Sequence, residues 1–87
     1  MPYIKQENRP TMNKVVDALK EANVQVNGDL NYIIFKFCKD TIGPVTDEQS
    51  YNRYKNFRGE LMEIRDEIGR RFLAPYEDQK IIENGDV

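Results

Sequence analysis

Near its C-terminal end the chain gathers groups suited to holding an anion. Arg70 and Arg71 stand side by side, and Tyr76 and Lys80 follow shortly. Guanidinium forks match phosphate and carboxylate oxygens, and a tyrosine ring offers a stacking face. These four residues are the candidate site for a small anionic ligand. A second arrangement is acidic. Glu60 and Glu63 form one pair at helical spacing, and Glu83 and Asp86 form another. Two such pairs, side by side in a helical bundle, would offer Mg²⁺ the hard oxygen donors it prefers. Each arrangement has a plainer reading. Arginines stabilise the negative end of a helix and would pair with Glu67 and Glu77. Glu60, Glu63 and Glu67 make a solvated helix face, paired with arginines nearby.

What is missing narrows the chemistry further. The chain has no histidine, so it has no Ser-His or Cys-His nucleophile pair and no imidazole base. It has no GxxxxGK[ST] and no GxGxxG phosphate loop. Cys38 is its single cysteine. An intrachain disulfide is excluded, and one thiol without histidine cannot build a structural zinc site. Within the apolar run "NYIIFKFCKD", Cys38 reads as a reduced, buried thiol. These absences point to a non-catalytic binding or interaction protein with no cofactor.

Charge excludes another class. Thirteen basic residues are mixed with 15 acidic ones for a net charge of −2, without the basic bias of a general nucleic-acid binder. Nucleic acid is therefore not an expected partner. The start "MPYIKQENRP" carries no apolar signal core, and no run approaches about 18 apolar residues. The expectation is a soluble, cytoplasmic protein without a membrane partner.

The elements that must position these residues are helical. An 87-residue chain is read as one small domain: an N-terminal arm over 1–10, a three-helix core over 11–74 and a C-terminal segment over 75–87. Pro2 and Pro10 mark the arm as extended, and Tyr3 and Ile4 are placed to pin it. The first helix starts at Thr11 as N-cap, with Met12, Val15, Val16, Leu19 and Ala22 on one stripe. A connector carries Val24, Val26 and the Asn27-Gly28 turn. The second helix runs from Asp29 as N-cap to Ile42, ended by Gly43-Pro44. Leu30, Ile33, Ile34 and Phe37 form one of its faces, and Phe35, Cys38 and Ile42 a second. Thr46 and Gln49 predict a capping box for the third helix. Along it, Tyr54, Phe57, Leu61, Ile64 and Ile68 step by 3, 4, 3 and 4, the spacing of bundle packing. It is expected to reach Ala74, where Pro75 breaks it and opens a short helix that Gly85 stops. A terminal β-hairpin at Asn84-Gly85 is the competing reading. The fold class is thus all-α, a helical hairpin plus a longer third helix.

A chain this short buries only about 60–65% of the surface its unfolded form exposes, and many such domains gain stability by oligomerising. A second helix apolar on two sides supports a homo-oligomer, most simply a dimer across the second and third helices. Its candidate interface is Phe35, Cys38, Ile42, Gly59 and Gly69. Each of these glycines costs a helix up to about 1 kcal/mol against alanine. Either another backbone approaches there, or the glycine is a tolerated surface residue.

Three resemblances add to this reading. Glu60-x-x-Glu63 with Glu83-x-x-Asp86 looks like the EXXE…EXXD pattern of all-α nucleoside triphosphate pyrophosphatases, which implies Mg²⁺ at those four carboxylates. The second pair here straddles Asn84-Gly85, where that family keeps it on a helix. Over nearly its whole length the chain resembles a family of short, largely uncharacterised proteins of bacteriophages and some prokaryotes. The matching pieces are "MPYIKQENRP", "LNY" at 30–32, "YNRY" at 51–54 and "RRFLAPYEDQKIIENGDV". That family carries no catalytic motif to transfer. In general shape the chain is also similar to small helical phage proteins that oligomerise and sequester cyclic-nucleotide signals of host immunity. The last likeness implies sequestration of a small anionic nucleotide, for which Arg70, Arg71, Tyr76 and Lys80 are the candidate residues; the alternatives are a protein–protein inhibitor of a host factor using its tail or arm, and the Mg²⁺ pyrophosphatase.

Overall fold

The computed structural model describes residues 4–87, and the expectations for Pro2 and Tyr3 lie outside that range. The described residues are helical with no strand among them, as the all-α reading expects. They divide into two compact units, the first ending at Pro44 and the second spanning Val45–Val87.

In the first unit, a 3₁₀ turn at Gln6–Asn8 leads into α1, Arg9–Glu21. Helix therefore begins before Thr11. Pro10 sits in the first turn of α1, where its missing N–H costs nothing and its fixed φ suits the helix. The Arg9 side chain ties the entry by donating to the Ile4 carbonyl at 3.1 Å. The second helix, α2, is Asp29–Ile42. Its N-cap is Gly28 rather than Asp29, with φ of 108°, a conformation that favours glycine. The Asp29 carboxylate turns back and accepts the Gln25 N–H at 3.1 Å. Gly43 ends α2 as expected, its N–H bonding the Lys39 carbonyl at 2.8 Å. The most covered side of α2 carries Ile34, Cys38 and Ile42, spaced one turn apart, and Cys38 is the one buried residue among those described.

The second unit is dominated by one long helical path. The third helix, α3, is Glu48–Ile68. Its cap lies one residue later than Thr46 and Gln49 predict. The Asp47 carboxylate accepts the Ser50 N–H at 2.8 Å, and the Ser50 hydroxyl accepts the Thr46 and Asp47 N–H groups at 3.0 and 3.2 Å. Aspartate is the stronger cap, and serine at the third helical position completes the reciprocal box.

The path does not break at Pro75. A π-turn at Gly69–Leu73 follows α3 directly, and α4, Ala74–Asn84, follows the turn. Ile68, Gly69, Leu73 and Ala74 all hold right-handed helical dihedrals. The Ala74 N–H reaches back five residues to the Gly69 carbonyl. In an unbroken α-helix the Pro75 ring would collide with the Arg71 carbonyl and leave it without a donor. Widening one turn moves that carbonyl aside, so the helix absorbs the proline as a bulge. Helical backbone thus continues from Glu48 to Asn84, roughly 55 Å at ~1.5 Å per residue. Gly85, at φ 84°, caps α4 and bonds the Ile81 carbonyl. The helix stop predicted at Gly85 is observed, and no hairpin forms there.

Candidate functional site

The widened turn decides which residues share a face in the second unit. The α3 stripe, Tyr54, Phe57, Leu61, Ile64 and Ile68, would continue in a plain α-helix onto Arg71 and Pro75. One extra residue in the turn moves those positions to Phe72 and Tyr76. The apolar line therefore runs past the proline, carried by aromatic rings. Tyr54 and Phe57 are half-buried. Leu61, Ile64, Ile68, Phe72 and Tyr76 remain between 39% and 67% exposed, although side chains of this kind are the ones proteins bury. The 3–4 spacing ends at Ile68 because its next two positions are Arg71 and Pro75. The signal was present, since Ile64, Ile68, Phe72 and Tyr76 repeat every four residues ahead of a proline that a helix cannot otherwise accept.

The candidate anion site lies on the same stretch, and its cations are engaged. Arg70 Nη2 and Arg71 Nε both donate to Glu67 Oε1 at 2.6 Å. Partial burial pushes the Glu67 pKa up, but the hydrogen bond and charge of Arg70 and the charge of Arg71 outweigh it. The carboxyl therefore sits below its ordinary 4.5. Lys80 Nζ lies 5.4 Å from the Tyr76 ring centre and 2.9 Å from Glu83 Oε2. The structure therefore sorts the four residues into two separate clusters, each with its own carboxylate. The pairing of the arginines with Glu67 is the plainer reading the spacing allowed, and Glu77 takes no part in the ion pairs at this end. An open, shallow depression lined by Asp47, Glu48, Gln49, Asn52, Arg53 and Asn56 lies at the start of α3, away from these residues.

Of the alternative metal residues, Glu60 and Glu63 sit on α3, Glu83 is drawn to Lys80, and Asp86 lies beyond Gly85. Among the described residues no group of three or more Asp, Glu, Cys or His stands together as a metal would require. Of the interface residues, Phe35 is exposed, Cys38 is buried as a free thiol and Ile42 is half-covered. A Cβ built on Gly59 or Gly69 meets nothing within 4 Å. Among the described residues nothing crowds either glycine.

The whole chain, residues 1–87, matches the family model described as Domain of unknown function (DUF6899). The chain belongs to this family. No curated protein and no solved structure matches it. Among the described residues no helix is long and apolar enough to cross a membrane. What this family member offers for contact is thus read from its own surface, where Leu61, Ile64, Ile68, Phe72 and Tyr76 form an exposed apolar line along the second unit.

Proposed function

We propose that the protein is a non-catalytic interaction protein of phage or bacterial origin that works in the cytoplasm. It engages an apolar helical surface of a protein partner through the face Leu61, Ile64, Ile68, Phe72 and Tyr76. The observation that carries this reading is the π-turn. It keeps the face in line across Pro75, and π-bulges of this kind occur frequently at functional sites. Helix-in-groove recognition uses anchors at this spacing, with the aromatic members contributing the most area.

The nucleotide-sequestering form of the reading asks more of the structure. Arg70 and Arg71 would have to exchange Glu67 for phosphate, and Lys80 would have to leave Glu83. Both readings can be tested in one scheme. A photo-crosslinking residue at Phe72 is expected to give protein adducts, and the same probe at Asp66, on the opposite side of α3, is expected to give none. Equal adducts from both positions, or none from either, refutes the proposal. Calorimetry against a panel of cyclic oligonucleotides is expected to show no heat. Heat that disappears in the Arg70→Ala/Arg71→Ala variant would install the nucleotide reading in its place.

A further inference from the structure

We infer that the occupant of this face is a second copy of the chain, laid parallel and in register along α3, the π-turn and α4. The inference rests on the reading above and names its partner.

Charge is the first argument. With Tyr54, Leu61 and Ile68 at a positions and Phe57 and Ile64 at d, the flanks of the stripe carry different signs. Arg58 and Arg65 occupy the e flank. Arg53, Glu60 and Glu67 occupy the g flank. Flanking charges set partner and orientation in paired helices. A parallel copy places each g residue against the following e residue of its neighbour, so Glu60 meets Arg65 of the second copy twice across the pair, replacing the exposed contact Arg65 makes with Asp66 at 3.2 Å. An antiparallel copy places e against e and g against g. With Leu61 over Ile64, that arrangement sets Arg58 against Arg65, like charge on like charge, while Glu60 meets a Glu67 whose carboxylate already holds Arg70 and Arg71. The parallel arrangement has one conflict of its own, Arg53 against Arg58, at the start of the stripe. The pairing is therefore carried by the part of the helix beyond Arg58.

Area is the second argument. A large side chain offers about 200 Å², so the exposed fractions from Leu61 to Tyr76, with Leu73 beside them, leave roughly 600 Å² of apolar surface per copy. The stems of Arg58 and Arg65 add to it. A specific pair buries about 800 Å² per partner, so this one face is close to sufficient. The pairing also uses a different surface from Phe35, Cys38, Gly59 and Gly69. Gly59 falls on the side of α3 that points away from the stripe.

The test is sedimentation equilibrium on the full chain at micromolar concentration, with charge-reversed variants. The wild type is expected above the 10.2 kDa of one chain. Glu60→Lys and Arg65→Glu are each expected to weaken association about tenfold, and the double variant to restore it. Arg53→Glu, which removes the one conflict, is expected to tighten it. A wild type that stays at one chain's mass overturns the inference while leaving the Phe72 adducts to support a different protein partner. Association that is unmoved by the single reversals, or not restored by the double, overturns the parallel arrangement. Circular dichroism on each variant separates lost pairing from lost fold.

Discussion

Gly59 offers a direct measurement of what surrounds α3. It lies inside the helix, where glycine costs the backbone more ordering entropy than any other residue. A Cβ at this position meets nothing within 4 Å, so Gly59→Ala adds a methyl group without a clash. The gain is the propensity difference, about 0.5–1 kcal/mol. For a domain of this length that raises Tm by roughly 2–8 °C. The assay is thermal unfolding followed at 222 nm, at two protein concentrations tenfold apart. The rise should be the same at both, because Gly59 faces away from the apolar stripe. Gly28→Ala is the opposing control. It also has open space, but its φ of 108° is one that alanine resists, so its Tm should fall. An unchanged or lowered Tm for Gly59→Ala would refute the argument. A loss seen only at the higher concentration would place a partner backbone against Gly59.

Three further outcomes are expected. Pro75→Ala removes the reason for the wide turn, so the helix should settle into regular α register and rotate α4 by about 100°. Helicity should rise and amide exchange at Ala74 should slow, while Tyr76 leaves the line of Ile68 and sedimentation shows weaker association. The Asp47 carboxyl is held below its ordinary 3.8 by the Ser50 backbone N–H and then by the Ser50 side chain. Its contribution is therefore complete above 3.8 and fades as pH falls through the lower folded value. Acid titration of helicity should show this loss, and Asp47→Asn, which caps without titrating, should flatten it. Glu67→Gln should release both arginines from their shared carboxylate. Retention on a phosphate resin should increase, and an unchanged elution would show that Glu67 is not what holds them.

Much of the second unit was legible from residue order, for identifiable reasons. The 3–4 spacing from Tyr54 to Ile68 reports a helix face directly, and Gly85 marks the stop because glycine accepts the positive φ there. Cys38 was legible from the apolar run that encloses it. Other features depended on choices between neighbours. Thr46 and Asp47 can both cap a helix, and only the placement of Ser50 decides for Asp47. Asp29 had two uses, and the N–H of Gln25 claimed its carboxylate. Pro10 and Pro75 look alike and each is the second residue of its helix, yet α1 follows a short 3₁₀ turn and α4 continues a helix already under way. The π-turn was least legible, since a proline is compatible with either a break or a bulge. The surviving phase of Phe72 and Tyr76 distinguishes them. For the candidate site, residue types revealed the two arginines and the tyrosine. Which oxygen the arginines hold, and that Lys80 belongs with Glu83, required the helical geometry.

The widened turn trades reach for phase. The second unit gives up about 1.5 Å of helix length, one residue's rise, and in return keeps two aromatic rings on the bearing set by Ile68. The exchange works in only one direction along the chain. Every residue after Leu73 is indexed from the turn, while every residue before Gly69 is indexed from Asp47. A one-residue insertion or deletion between Gly69 and Leu73 would therefore leave α3 untouched and turn the whole of α4, with Tyr76 and Lys80 on it, toward a different quarter.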